Sequence, residues 1–479
     1  MGWKQRIITV LNLIDKSPKI ISDVTGVLFS QEFKNYVSKE KIQVVYSEAS
    51  SKMLAAANGN QLIIFITSKK TVPQFLKSYF EHKTFEHSQL PINGDVSILK
   101  SYDAKTIVAI CNYIFANNAH IVLSKLNSSA LLEKAIIFNK LKVLKNIKIA
   151  LNKLLIEEKN IENVINIAEN WGTLIYESYK QNDDSFLENI SKIDETIKEF
   201  IDNKTFEQIA FASTASKPLS IDKIIHHIKS KKENKVALLC FDCMGIAEWN
   251  VLKEYLIDLN ISYKEQYVFT LLPSVTSICR TAIFHGSTDV YDIKYPGRKD
   301  EAKAFASFFK DKQTKYFVED DIINEDTLLG YDTVSVLYNF FDDLCHSSLF
   351  PANENTKAIY FNNCKQYLEK SNVKQTIKTL LDNNFSIHFC SDHGSVIAKG
   401  NGERLQKYLI DDFAKRAVII PEEASGLTQL EKIDIPFVKH KKLVLPEGRT
   451  MFTQKDKIEI NHGGISLEEI VVPFITVIK

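Results

Sequence analysis

The sequence predicts an α/β protein. Its C-terminal half should hold a mostly parallel sheet with helices on both faces, preceded by a helical connector and a small N-terminal α/β domain. Three observations lead there. Apolar runs at 236–241 and 470–478 have strand length and little polar alternation, the pattern of strands buried on both faces, and 385–389 is a further strand-like segment. Stretches with helical spacing, at 302–309 and 365–381, separate several such runs, as crossovers between parallel strands require. Asp242 and the pair Asp392 and His393 follow directly on apolar runs, at the strand ends where open α/β sheets bind ligands.

A chain of 479 residues exceeds one ordinary core and implies two or three domains, and 45% hydrophobic residues suffice to fill them. Lys and Arg number 60 against 59 Asp and Glu, so no global field favours nucleic acid or an anionic membrane, and any anion-binding patch is local. The seven cysteines include one CxxC, Cys240 to Cys243, with no second pair at zinc-finger spacing; the odd total opposes a fully paired disulfide framework. A reducing cytoplasm is the expected compartment. The first residues lack a signal-peptide apolar region and a myristoylation hydroxyl, and no apolar run reaches membrane-spanning length, so a soluble protein is expected.

Residues 1–115 alternate apolar runs at 19–23, 42–46 and 62–66 with segments long enough for helices, which predicts the small α/β domain. Its glycines form no phosphate-binding fingerprint, so recognition or docking is its expected task. Over 116–230 apolar residues recur at helical spacing, as at 130–137 and 163–168, and Pro is absent until Pro218, which predicts the helical connector. A lysine-rich stretch, Lys229 to Lys235, marks the next boundary. The third domain, 231–479, has strand candidates at 236–241, 267–272, 334–341, 385–389, 417–420 and 470–478.

Residues of ligand type gather at four places in this third domain. Asp242 ends one strand, and Asp392 with His393 ends another. Asp342 and His346 stand four apart after a third, so one helical turn puts both on one face. His462 precedes two glycines. Singly, an Asp after a strand is more often a cap or turn residue than a ligand; four such clusters describe a site. Carboxylates with neutral imidazoles suit zinc, and carboxylates also accept manganese or magnesium. These six residues can divide between two ions roughly 4 Å apart, an arrangement that serves phosphoryl transfer.

Thr276 stands between a strand candidate and a helix expected at 278–284, near a helix N-terminus where free N–H groups favour an anion; the plainer alternative is a capping residue. Arg280 faces the same anion or pairs with a surface carboxylate. Lys294, Arg298 and Lys299 surround Pro296 and Gly297 as a basic loop, either solvated or polyanion-binding. Cys243, Cys279, Cys345 and Cys390 lie beside the candidate residues and read as small buried hydrophobes; oxidation sensitivity is the alternative, with Cys240 and Cys243 the pair to check.

Taken in order, Asp242, Thr276, Asp342-x-x-x-His346, Asp392-His393-Gly394 and His462-Gly463-Gly464 resemble the alkaline phosphatase superfamily. Segments 338–346 and 462–473 resemble a PglZ domain specifically, and the resemblance covers roughly 231–479. It implies a metal-dependent phosphodiesterase acting on a nucleotide or oligonucleotide, with two divalent ions, zinc first and manganese second. It implies one ion held by Asp342, His346 and His462 and the other by Asp242, Thr276, Asp392 and His393. In this reading Thr276 is the nucleophile and Arg280 stabilises phosphate charge. Thr276 is preferred to Ser274 because related nucleotide pyrophosphatases carry their threonine ten residues before a Gly, as Thr276 stands before Gly286. Their following Phe-Pro-Asn is Ser277-Ile278-Cys279 here, which leaves substrate preference open. The Cys/Ser-x-Pro-x-Arg of sulfatases is not matched by 277–280. Some PglZ-like proteins accompany bacterial phage defence, so defence proteins are expected partners and a membrane is not. The same residues suit two other functions, a non-enzymatic PglZ scaffold in a defence complex and a phosphomutase.

Overall fold

The computed structural model describes residues 2–15, 17–59, 63–117, 121–259, 261–293, 296–347, 356–403, 414–422, 431–435, 438 and 441–478. They divide into two compact units, 1–145 and 146–479.

In the first unit β1 (Lys19–Asp23), β2 (Val44–Tyr46), β3 (Ile64–Thr67) and β4 (Glu81–Phe85) form a parallel sheet in the order β2-β3-β1-β4. Two-residue strands β5 (Asn93–Gly94) and β6 (Val122–Leu123) pair separately. The runs at 19–23, 42–46 and 62–66 supply three strands of this sheet; Leu62 lies outside the described residues. No apolar run announces β4, because of its five residues only Phe85 is buried. Asp23, at the carboxyl end of β1, accepts from the backbone N–H groups of Thr25, Gly26 and Leu28 and so closes a turn.

Residues expected as a separate helical connector contain the helices Ser128–Leu154, Ile161–Gln181, Ile190–Asp202, Thr205–Ala212 and Ile224–Ser230. The division at 145 falls inside the first, and the later ones join the second unit rather than standing apart. Their apolar faces have a partner there: Phe200 stacks on Phe269 at 5.5 Å, and Tyr176 donates to Glu254 at 2.8 Å.

The second unit is built on β7 (Val236–Phe241), β8 (Ser262–Phe269), β9 (Thr314–Val318), β10 (Thr333–Tyr338), β11 (Ser386–Ser391), β12 (Val396–Gly400), β13 (Val418–Pro421), β14 (Glu431–Asp434), β15 (Lys441–Leu445), β16 (Thr450–Met451), β17 (Ile458–Asn461) and β18 (Val471–Ile478). Its six-stranded sheet has the order β8-β18-β11-β7-β10-β9. Strands β9, β10, β7 and β11 are parallel. Because β18 is antiparallel to both β11 and β8, β8 points the same way as those four. Five carboxyl ends therefore meet at one edge, where β18 begins. Val236, Leu238 and Cys240 pack under residues of helices Ile224–Ser230, Thr276–His285 and Arg298–Phe308. On the other side Phe241 meets Phe389, which also packs on Trp249 of helix Ile246–Tyr255. Full burial on both faces explains why β7 reads as an unbroken apolar run.

Four expected boundaries are corrected. The run 334–341 is a strand only to Tyr338; Phe340 and Phe341 are buried in helix Phe340–Cys345. Strand β8 starts at Ser262 and stops at Phe269, and its alternating exposed half is that of an edge strand. The helix at 365–381 is two, Thr356–Lys370 and Val373–Asp382. The run 417–420 becomes β13 of a separate sheet, β13-β15-β14, beside another small sheet, β16-β12-β17.

Candidate metal centre

Three strands of the edge, β7, β10 and β11, lead into candidate ligands. Asp242 follows β7, and its N–H bonds to Tyr338 O at 2.8 Å, which holds it level with the end of β10. Cys243 then takes a left-handed φ of 63° and turns the chain away from the sheet. Asp342 and His346 lie one turn apart, joined by a bond from His346 N to Asp342 O of 3.0 Å. Asp392 and His393 continue β11, and His462 follows β17 on the path to β18.

The structure brings these side chains together in two overlapping groups, Asp342 with His346 and His462, and Asp242 with Asp342 and His393. In the first, Asp342 Oδ1 is 3.2 Å from His346 Nε2 and 3.4 Å from His462 Nε2, and the two Nε2 atoms are 3.1 Å apart. In the second, His393 Nε2 is 3.4 Å from Asp242 Oδ1. Asp342 belongs to both groups, whereas the resemblance implied that it serves one ion. Asp392 stands beside them: its Oδ1 accepts from Cys243 N at 3.2 Å and His393 N at 3.0 Å, and its Oδ2 lies 3.7 Å from His393 Nε2.

Asp342 Oδ1 and Asp392 Oδ2 are buried and lack a hydrogen-bond partner among the described residues. A buried carboxylate oxygen without a donor costs about 1–3 kcal/mol or more. A cation between these oxygens and the Nε2 atoms would satisfy them, so the residues fit divalent ions with mixed nitrogen and oxygen ligands.

Thr276 is the first residue of helix Thr276–His285, and Val275 occupies the N-cap position without a side-chain cap bond. The hydroxyl is therefore not the cap. Its Oγ1 lies 2.8 Å from His393 Nε2 and 3.4 Å from Asp242 Oδ1. Ser274, the alternative hydroxyl, is buried and engaged elsewhere. It donates to Gly464 O at 2.9 Å and accepts from Gly463 N at 3.2 Å, while its carbonyl lies 3.2 Å from His462 Nδ1. Ser274 thus orients His462, a role its sequence position did not signal.

Arg280 is buried, with its donors turned on carboxylates. Nη1 donates to Asp242 Oδ2, and Nε donates to Glu301 Oε1 at 2.9 Å. Neither partner is at the surface, where the plainer alternative puts such a pair.

The charges are strongly coupled. Burial pushes Asp242 well above the usual carboxylate range, reinforced by Asp392 and opposed by Arg280. Burial likewise pushes Asp392 up to about 6. Burial works the same way on Asp342, but His346 and the other imidazoles around it outweigh it and hold that carboxyl below its ordinary value. Burial and neighbouring His393 drive His462 well down, which keeps its imidazole neutral.

The glycines of both motifs have steric reasons. A Cβ on Gly394 would stand 2.0 Å from Glu468 O, and Gly463 has a φ of 104°. After them, Ser466 and Glu469 form a capping box on helix Leu467–Ile470. All seven cysteines are buried free thiols. Cys243 Sγ lies 3.6 Å from Cys345 Sγ, while Cys240 is registered against Cys390 across β7 and β11, so the pair to inspect is not Cys240 with Cys243. Of the basic loop, Arg298 opens helix Arg298–Phe308, Lys299 follows it, and Lys294 lies outside the described residues. Among the described residues no helix is long and apolar enough to cross a membrane.

The domain that carries this sheet edge is alkaline phosphatase-like. The family model described as the BREX system PglZ alkaline phosphatase-like domain matches residues 221–477, more than half of the chain, and the chain belongs to that family. No curated protein matches the sequence. Among solved structures, an inactive murine ectonucleotide pyrophosphatase/phosphodiesterase 5 in complex with AMP is similar at 14% identity and a TM-score of 0.34, over 51% of this chain and 88% of that one. The human enzyme of the same name gives 15% identity and a TM-score of 0.32, over 51% and 87%. A phosphonoacetate hydrolase from Sinorhizobium meliloti 1021 in complex with phosphonoformate gives 11% and 0.31, over 50% and 89%.

Proposed function

We propose that the chain is a metal-dependent phosphodiesterase that cleaves a nucleotide or oligonucleotide phosphodiester with Thr276 as nucleophile. The observation that carries this reading is Thr276 Oγ1 at a helix N-terminus, 2.8 Å from His393 Nε2 and 3.4 Å from Asp242 Oδ1, beside two overlapping ligand groups. Asp342, His346 and His462 would hold one divalent ion. Asp242, Asp392, His393 and Thr276 would hold the other, with Asp342 within reach of both. Zinc is the first choice for this donor set and manganese the second. Bound there, the ions supply positive charge that stabilises an anionic nucleophile, the phosphoryl oxygens and the leaving oxygen.

The chain's own residues account for the remaining steps. When Thr276 gives up its proton, the proton passes to solvent, because His393 Nε2 and Asp242 Oδ1 beside it would be engaged as ligands. Oγ1 forms a bond to phosphorus as the bond to the departing alcohol oxygen breaks. Water then attacks the same phosphorus, which returns the Thr276 hydroxyl and releases a monoester. Arg280 keeps a fixed positive charge behind Asp242, where it offsets charge growing at the phosphoryl group.

The family's BREX description supports a place in bacterial phage defence with defence proteins as partners, and seven buried free thiols accord with the cytoplasm. Residues 1–145 serve this reading as a recognition or docking unit; among their described residues no metal-ligand group occurs.

The test is hydrolysis of a chromogenic phosphodiester, with a monoester alongside, by the purified chain with zinc or manganese and with a chelator. Metal-dependent diester turnover is expected. Bound metal without turnover of either ester contradicts the proposal and moves weight to the scaffold; phosphate transfer between sugar positions without net hydrolysis identifies a mutase.

A further inference from the structure

We infer that Glu301 and Tyr316 are positioning residues for the ion on the Asp242 side, acting through Arg280; the inference rests on the metal-centre reading above. A row of four side chains, three buried and Tyr316 half-buried, joins helix Arg298–Phe308 and β9 to the end of β7. Tyr316 on β9 donates its hydroxyl to Glu301 Oε2 at 2.6 Å. Glu301 Oε1 accepts from Arg280 Nε at 2.9 Å, and Arg280 Nη1 donates to Asp242 Oδ2. Glu301 is 1% exposed, Asp242 2% and Arg280 7%, so water does not screen the row.

Geometry gives each member a distinct task. Asp242 turns Oδ2 to Arg280 and Oδ1 to His393 and Thr276, so the guanidinium fixes which oxygen faces the ligand group. Charge explains why Glu301 is needed. With Asp242 as its only carboxylate, a buried Arg280 would neutralise the very ligand it orients. With Glu301 present, one guanidinium is shared by two carboxylates, and Asp242 retains negative charge for a cation. Glu301 lies in the first turn of its helix, which sets its carboxylate beside Arg280. Tyr316 occupies the second oxygen and so holds the carboxylate in the plane from which it meets Nε. The alternative, a buried ion pair that only supports folding, predicts lost stability without selective loss at one ion.

Zinc binding to the full-length chain, followed by competition with a chromophoric chelator, separates the two. The wild type should take up two ions. Glu301→Gln should weaken one of them about 10- to 100-fold and leave the other unchanged. Tyr316→Phe should weaken the same ion by a smaller factor, and Glu301→Asp should fall between wild type and Glu301→Gln. Near-ultraviolet circular dichroism checks that each variant is folded; if Glu301→Gln does not fold, Tyr316→Phe decides alone. Folded variants that keep both affinities within twofold, or weaken both ions equally, overturn the inference. A wild-type chain that binds no divalent ion removes the underlying reading, and the inference with it, before any variant is measured.

Discussion

The imidazole rings of His393 and His462 lie face to face, with 4.2 Å between centroids and 18° between planes. One comes from the end of β11 and the other from the segment after β17, and each belongs to a different ligand group. Two rings so close and so buried hold their place only if they do not both carry charge. Burial and His393 accordingly depress the pKa of His462.

A pH dependence of the metal-free chain follows. A depressed histidine stays neutral in the folded state while the unfolded chain takes up a proton below about 6.5, so the folded state loses stability as pH falls through that value. Thermal midpoints measured with a chelator present should therefore drop on acidification from neutral pH. In His462→Gln the drop should be shallower. The difference between the two proteins isolates His462 from Asp392, whose raised pKa acts in the opposite sense.

Burial pushes the Asp392 carboxyl up to about 6, so below that pH a proton competes with a cation for it. Calorimetric titration with zinc at pH 5.5, in two buffers of different ionisation heat, should show proton release on binding. Asp392→Asn should release about one proton fewer and bind more weakly. Equal release by both proteins would remove Asp392 from the ligand set.

Gly394→Ala tests how tightly the edge is built. The new Cβ would meet the Glu468 carbonyl, a backbone atom with no rotamer to escape into. A loss of about 1–3 kcal/mol is expected in urea unfolding, with the strain directed at the turn carrying Asp392 and His393. An unchanged midpoint would mean that the segment around Glu468 yields freely.

Much of the site is legible in the sequence, because candidate ligands immediately follow strand-like runs, as Asp242 follows β7 and Asp392 follows β11. The four-residue step from Asp342 to His346 encodes its own geometry through one helical turn. What the sequence hides are relations that need the third dimension. Asp342 reaches both ligand groups only because β10 and β11 flank β7. Glu301 resembles any helix carboxylate until Arg280, 21 residues earlier, is found beside it. Strand β13 carries the same apolar signal as a strand of the main sheet, and nothing in that run states which sheet it joins. Strand β8 is only half legible for the opposite reason, since an edge strand exposes alternate residues and its first half carries no apolar run.

The most direct test of the central claim is diester turnover by Thr276→Ala, Thr276→Ser and Ser274→Ala, each checked for zinc content. If Thr276 is the nucleophile, the alanine variant loses at least about a thousandfold in kcat while retaining the ion held by Asp342, His346 and His462. The serine variant, with a hydroxyl at the same place, keeps activity within about tenfold of wild type. Ser274→Ala keeps the carbonyl that meets His462 and removes the hydroxyl bonds that pin Gly463 and Gly464 behind it, so it should lose metal affinity more than chemistry. A folded, zinc-loaded Thr276→Ala protein that hydrolyses the diester within about tenfold of wild type would contradict the account.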